Sequence, residues 1–172
     1  LQELARLRHL VVAMRESGQA PPRVLVTGEK NGVVASMFVK AGAEVATCDL
    51  EPTATPHIPH FQGDAAYVQD LGWDLVIAHP PCTYLSNAGV SWLYKDPARR
   101  GALLDNAAQY RAMAAAKAPF KAVENPVMNR WARKLVRRGQ SHQVQYVHPW
   151  QHGTGHTKPT GLDLFGLPQL RP

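Results

Sequence analysis

Four short apolar runs recur along the chain, "RVLVTG", "AEVATCDL", "GWDLVIAH" and "FKAVENP", each closed by a polar or proline-bearing stop. Between them lie stretches with helical period, about residues 33–41 and within the alanine-rich "DPARRGALLDNAAQYRAMAAAKAP". Short apolar runs bounded by turn signals read as buried strands. Strands that alternate with helices argue an α/β fold, a mostly parallel sheet with helices on both faces. In such sheets ligands sit beyond the carboxyl ends of the strands. Those ends are therefore where chemistry is to be sought.

The flanking segments fit the same frame. Leu4, Leu7, Leu10, Val11 and Met14 recur at helical spacing, so residues 2–16 read as a helix, stopped by Gly18 and the Pro21-Pro22 pair. "PTATPHIPH" reads as a proline-rich surface connection, and "VMNRWARKLVRRG" as a basic helix closed by Gly139. "HQVQYVHPW" through "TKPTGLDLFGLP" reads as two further strands around a Gly/His-rich turn. At 172 residues the chain is expected to form one domain around one core.

Charge and cysteine usage narrow the setting. Nineteen Lys and Arg against thirteen Asp and Glu give a net charge of +6, which suits an anionic partner such as nucleic acid or a nucleotide. No apolar run reaches the length of a membrane span, and the N-terminal stretch mixes both charge signs, unlike a secretion signal. Two cysteines, Cys48 and Cys82, are few for a disulfide scaffold, so a reducing cytoplasmic setting with a free thiol is expected.

Each strand end carries a suspicious group. After the first comes "TGEKNG", after the second Asp49 and Glu51, after the third "HPPC", and after the fourth "ENP". The first two have the shape of a nucleotide-binding βαβ unit, in which a glycine turn admits a ligand to the backbone and a later acid holds ribose hydroxyls. Only Gly28 and Gly32 are present, so an ordinary tight turn and a surface acid would read the same way. "HPPC" is more specific. Prolines lack a ladder N–H and fix the backbone, so the pair ends the strand and presents the next side chain rigidly. A thiol there, near cations such as Lys30 or Lys158, is a candidate nucleophile; a small buried cysteine is the bland alternative. "ENP" sets a carboxylate, Glu124, at the neighbouring strand end.

A cysteine after two prolines and a later Glu-Asn pair, in this order, resemble the cytosine-5 DNA methyltransferases, most of all the short single-domain forms of phages and prophages. The resemblance runs from about Val24 to Pro168. It implies a Rossmann-like, class I methyltransferase fold with S-adenosylmethionine as donor, in a phage-infected or prophage-carrying host. By that resemblance Cys82 is the nucleophile and Glu124 the acid. Thr27, Gly28, Lys30, Asn31 and Gly32, with Asp49 or Glu51, would hold the methionine and ribose parts. Asp64 of "QGD" would lie by the adenine amino group, with Pro80 also on the donor side. On the substrate side it implies Pro81, Ser86, Asn87, Asn125 and Pro126, together with Thr157, Lys158 and Thr160 of the closing segment. No metal is implied.

The chemistry explains the motif. C5 of cytosine is too poor a nucleophile to accept a methyl group unaided. Addition of a thiolate at C6 makes an enamine that attacks a methyl sulfonium, while a carboxyl group at N3 and the 4-amino group stabilises the charge pushed into the ring. A base acting through water then removes the C5 proton and the thiol leaves. In duplex DNA the base would first have to leave the stack.

Departures from the family pattern matter. The leading phenylalanine of the first loop is absent, and Lys30 beside a cationic donor points either to solvent or to a carboxylate; it also leaves room for a carboxylated donor analogue. Lys158, with Thr157 or Thr160, stands in for an arginine motif. The chain ends where the large enzymes insert a target-recognition domain, so little sequence preference is expected, with the N-terminal helix filling the packing role of their last segment. A free cytidine nucleotide is an alternative substrate to DNA, and a non-catalytic nucleic-acid-binding module an alternative of another class. Arg130, Arg133, Lys134, Arg137 and Arg138 form either a phosphate-tracking face or a solvated helix surface, with Trp131 expected in the core. His148, His152 and His156 recur every four residues, but Pro149 and the glycines at 153 and 155 argue against an aligned metal site. His79 is expected to orient the loop.

Overall fold

The computed structural model describes residues 20–87, 92–137, 143–153, 155 and 157–169. The expected N-terminal helix, Arg138, Gly139 and His156 lie outside them. Seven strands form one sheet: β1 (Arg23–Thr27), β2 (Glu44–Asp49), β3 (His60–Gln62), β4 (Leu75–Ala78), β5 (Phe120–Pro126), β6 (Gln143–Val147) and β7 (Thr160–Phe165). Their spatial order is β3-β2-β1-β4-β5-β7-β6. The first five are parallel, and β7 inserts antiparallel between β5 and β6. The mostly parallel sheet read from the sequence is present. The three-residue edge strand β3 was not foreseen.

Helices cover both faces. On one, α1 (Val33–Ala41) buries Ala35 and Phe38 against Val24, Val26, Val45 and Ile77. On the other lie α2 (Trp92–Lys95), α3 (Ala98–Ala114) and α4 (Arg130–Val136). There Tyr110, Leu103 and Ala107 of α3 pack with Ala132 and Val136 of α4 over Ala78 and Val123. Beneath them the Tyr110 hydroxyl donates to Asp163, which also meets Arg137 at 3.5 Å. Burial and the Asp163 charge push the Tyr110 hydroxyl far above its ordinary range. No helix among the described residues is long and apolar enough to cross a membrane.

The chain runs from β1 outward through β2 to β3, then returns to the other side of β1 as β4. The strand order thus reverses between β1 and β4, which opens a crevice at their carboxyl ends.

Candidate functional site

Register builds the site. Thr27 pairs with Cys48 on one side and Ala78 on the other, and Ala78 pairs with Val123. The residues one step further, Asp49, Gly28, His79 and Glu124, therefore form the next row across four neighbouring strand ends. With strands about 4.8 Å apart, that row puts His79 between Gly28 and Glu124. The His79 N–H donates to the Thr27 carbonyl at 2.9 Å, and its Nδ1 lies 3.1 Å from the same oxygen. These contacts hold His79 at the start of the loop, and register sets it third in the row of four.

Two hollows share Gly28, Asp49 and His79, so they are lobes of one cleft. One, of about 320 Å³, runs between Cys48, Asp64, Ala65 and Pro81 toward Met113 of α3. The other, of about 440 Å³, lies over Glu29, Lys30, Asn31 and Glu51. Gly28 is required where it stands. Its φ is +71°, and a Cβ would fall 2.2 Å from the His79 carbonyl oxygen. Gly32 has φ +62° and would strike Thr55. The loop between them is tied down by its Lys30 carbonyl, which accepts from Ala54 N–H at 2.8 Å. Lys30 meets a carboxylate, that of Glu51. Asp49 Oδ1 accepts the Glu51 N–H, and Asp64 Oδ1 accepts the Ala66 N–H at 2.9 Å at the lip of the first lobe.

The sequence reading missed Glu29. It is buried, and its carboxylate accepts Val34 N–H at 2.6 Å and Ala35 N–H at 3.0 Å, the first turn of α1. A helix N-terminus is otherwise a ready anion site. Here it is satisfied from within, and Asp49 and Asp64 add negative charge to the cleft wall. Carboxylates on a cleft wall disfavour phosphate and favour a ligand with a cationic centre or with hydroxyl and amino hydrogens to donate.

The two cysteines, both free, differ in kind. Cys48 is buried, and desolvation, then the charges of Asp49 and Asp64, raise its thiol to about 11. It stays protonated at neutral pH. Cys82 is half-buried at the mouth of the loop after β4. Its carbonyl accepts the Leu85 and Ser86 N–H groups at 3.0 and 3.1 Å, so residues 82–86 form a closed turn. A bridge of Ser86 to Met128 and a bond from Asn87 N–H to the Val127 carbonyl at 3.0 Å tie this turn to the segment after β5. The Cys82 turn is thereby tied to the chain that leaves β5, the strand that carries Glu124.

Asn129, also missed, is the knot. It is wholly buried. Its Oδ1 accepts Trp131 and Ala132 N–H at 3.0 and 2.8 Å, capping α4, and its Nδ2 donates to the Tyr84 and Leu85 carbonyls at 3.3 and 3.1 Å. An Asn before a helical run is a readable cap signal; its reach across to the Cys82 turn is not.

Burial raises the Glu124 carboxyl above its ordinary value, while the charges of His79 and Lys158 oppose that shift. The charge of Lys158 thus reaches the same acid. Thr160 pairs with Pro126 and Gly161 with Asn125, which brings the start of β7 alongside. Thr157 and Lys158 are exposed in the segment just before it. Thr27 Oγ1 and both amide atoms of Asn125 are buried with no hydrogen-bond partner among the described residues. Neither Cys82 nor Glu124 lines the two lobes.

Two expectations are corrected. Trp131 is not in the core: it is 39% exposed, because the buried face of α4 is Ala132 and Val136 and position 131 falls beside it. Arg137 does not join a phosphate-tracking face, since it turns inward to Asp163. Among the described residues no cluster of metal-ligating side chains is found.

No protein-family model and no curated protein sequence matches the chain. Solved structures do. A protein described as a candidate DNA modification methyltransferase encoded within a prophage (E. coli) aligns with a TM-score of 0.54 at 17% identity, over 83% of this chain and 46% of its own. The SAM-dependent methyltransferase from Agrobacterium tumefaciens aligns at 0.51 and 11%, over 97% and 63%. A Burkholderia thailandensis 1,6-didemethyltoxoflavin-N1-methyltransferase with bound S-adenosylhomocysteine aligns at 0.52 and 10%, over 94% and 76%. The chain spans less than two thirds of the first two. At these identities the likeness carries the fold, which is that of the Rossmann-like class I methyltransferases.

Proposed function

We propose that the chain transfers a methyl group from S-adenosylmethionine to C5 of cytosine in DNA, with Cys82 as nucleophile and Glu124 as acid. The observation that carries this reading is the pair of strand ends tied by hydrogen bonds, a proline-set thiol after β4 and a desolvated carboxyl near the end of β5, beside a cleft walled by carboxylates. The fold is shared with proteins that use this donor, and the Burkholderia neighbour holds its demethylated product. The prophage-encoded neighbour supports DNA as substrate.

The donor fits the cleft. Gly28, Asn31 and Gly32 would face its methionine part, Asp49 its ribose and Asp64 its adenine amino group. Glu51 is engaged by Lys30, which offsets the cation beside the donor and leaves Asp49 as the better ribose ligand. When bound, the donor supplies an electrophilic methyl carbon. The protein does the rest. The Pro80-Pro81 pair aims the Cys82 sulfur at C6 of the ring. Glu124, whose carboxyl burial pushes above its ordinary value, in its protonated form gives a hydrogen bond to N3 and offsets the charge that the C6–S bond pushes there. Lys158, whose charge reaches that acid, suits the O2 carbonyl, while Asn125, Ser86, Asn87 and Thr160 would frame the base. After methyl transfer the C5 proton leaves to water, the C6–S bond breaks and the thiolate is regenerated.

The test is DNA containing 5-fluorocytosine with added donor. Fluorine at C5 cannot leave as a cation, so a protein–DNA adduct should accumulate and should vanish in Cys82→Ala. No adduct with DNA, or an adduct that survives Cys82→Ala, would sink the reading. An adduct with a fluorinated nucleotide alone would move the substrate to the free nucleotide.

A further inference from the structure

We infer that the elements around the Cys82 turn form a stacking surface for an unpaired DNA strand, which makes single-stranded DNA, not duplex, the form this protein engages. The choice of DNA rests on the proposed reaction; the surface itself does not.

Three aromatic side chains there are each overlaid by a cation. The Arg99 guanidinium lies 4.8 Å from the Tyr84 ring centre, and Lys95 Nζ 5.0 Å from that of Trp92. Arg130 and Lys134 lie 4.5 and 5.7 Å from that of Trp131. All three belong to segments already tied together. Tyr84 is in the Cys82 turn, and Asn129 binds its carbonyl while capping the helix that starts with Arg130 and Trp131. Leu93, next to Trp92, packs in the same core cluster as Leu85 and Ala132.

Two of the three rings are out in solvent, Trp92 at 52% and Trp131 at 39% exposed, with Tyr94 at 67% between the Trp92 and Lys95 positions, while Tyr84 is half-buried against the core. The two helical segments, 92–100 and 130–134, carry Lys95, Arg99, Arg100, Arg130, Arg133 and Lys134 against the one carboxylate of Asp96. None of the six cations is in a salt bridge among the described residues. The Nε of Arg99 is buried without a hydrogen-bond partner among the described residues. A solvated helix face needs cations but no exposed indoles, and those indoles are the feature that a charge-only account leaves over.

Rings interleaved with cations match a single strand, whose bases stack on aromatic faces while its phosphates meet the charges. In a duplex the base faces are already stacked on one another, and the rings would gain nothing. An unpaired cytosine also enters the Cys82 site without the cost of leaving a helix. The strand surface and the nucleophile turn would then act on one substrate form.

The test is fluorescence anisotropy of the full chain with a labelled mixed-sequence DNA of about 12 nucleotides, as single strand, as duplex and as an RNA strand. The single strand should bind more tightly than the duplex. Trp92→Ala and Trp131→Ala should each weaken strand binding about tenfold, the worth of one stacked base, with Trp→Phe at either position largely restoring it. Arg130→Gln with Lys134→Gln should flatten the salt dependence by about 0.7 per charge removed. Duplex bound at least as tightly as the strand, RNA bound tenfold tighter than DNA, or ring variants that bind like wild type would each overturn the inference. Ring-dependent strand binding beside a failed 5-fluorocytosine trap would overturn the reaction and leave the surface standing. The reverse pair of results would overturn the surface alone.

Discussion

Asn129→Ala removes one side chain that serves two elements, and its cost can be worked from the contacts. The cap on α4 is lost, for about 1 kcal/mol, because Trp131 and Ala132 N–H both lean on Oδ1. The Tyr84 carbonyl loses the amide donor held at 3.3 Å, which in a buried place costs roughly 1–3 kcal/mol more. The Leu85 carbonyl keeps the Asn129 backbone N–H at 2.8 Å and is nearly indifferent. The total is about 3 kcal/mol, measurable as a shift in urea midpoint at unchanged slope. Asn129→Ser separates the parts: it restores the cap but not the reach to Tyr84, so it should recover about 1 kcal/mol of the loss. Asn129→Asp keeps the cap and turns a carboxylate oxygen toward two carbonyls. A protonated aspartic acid can donate to them and an ionised one cannot, so its folded-state pKa is raised above the unfolded one. Its stability should therefore improve as pH falls and be lost as pH rises, while the deficit of the alanine variant stays flat. The 5-fluorocytosine adduct should be lost in Asn129→Ala under conditions where the chain is still folded, since the Cys82 turn has lost its tie. Equal stability of the alanine and wild-type chains, or a pH-independent deficit in Asn129→Asp, would refute the reasoning.

Two further outcomes follow from the same geometry. Gly28→Ala and Gly72→Ala both force a side chain into positive φ, but only the first meets backbone, 2.2 Å from the His79 oxygen, whereas the second has only an Arg23 side-chain nitrogen at 3.4 Å. Gly72→Ala should cost about the 1–2 kcal/mol of the left-handed conformation. Gly28→Ala should cost clearly more and abolish donor binding in calorimetry; equal costs would mean that the β1 and β4 ends are not in contact. Glu124 has a folded-state pKa above its ordinary value, so its stabilising contribution is full below the unfolded pKa and is lost as pH rises through the folded one. Thermal melts should show Glu124→Gln gaining on wild type from acid to neutral pH, and adduct formation by the wild type should fall over the window where Glu124 ionises. Parallel melting curves across that range would contradict the assignment.

What the sequence disclosed and what it hid divide along a physical line. Punctuation is local, so Pro80-Pro81 after "DLVIAH", Pro126 after "AVEN" and the helix at 33–41 were readable from neighbours alone. The short polar edge strand His60–Gln62 carries no alternation to read, and it exists because β2 offers an unpaired side. That β7 pairs with β5 and separates it from β6 is a long-range choice that no window of residues encodes. Trp131 misled because an aromatic ring in a helical run usually marks the core, yet in a helix of seven residues the buried face is only two positions wide, Ala132 and Val136.

Glu29 shows how the line bears on ligand choice. A glycine turn leading into a helix reads as a phosphate cradle, and the residue type at position 29 does not say where its carboxylate goes. Once it is bonded to Val34 and Ala35 N–H, the cradle is filled from within. A dinucleotide would then bring its pyrophosphate against Glu29, Asp49 and Asp64 with only Lys30 to offset them, and Lys30 is already held by Glu51. A sulfonium donor meets the opposite balance: carboxylates beside its positive charge and acceptors for its hydroxyl and amino hydrogens. By its hydrogen bonds, the loop that resembles a nucleotide-binding turn in sequence favours the proposed sulfonium donor over a ligand that brings phosphate.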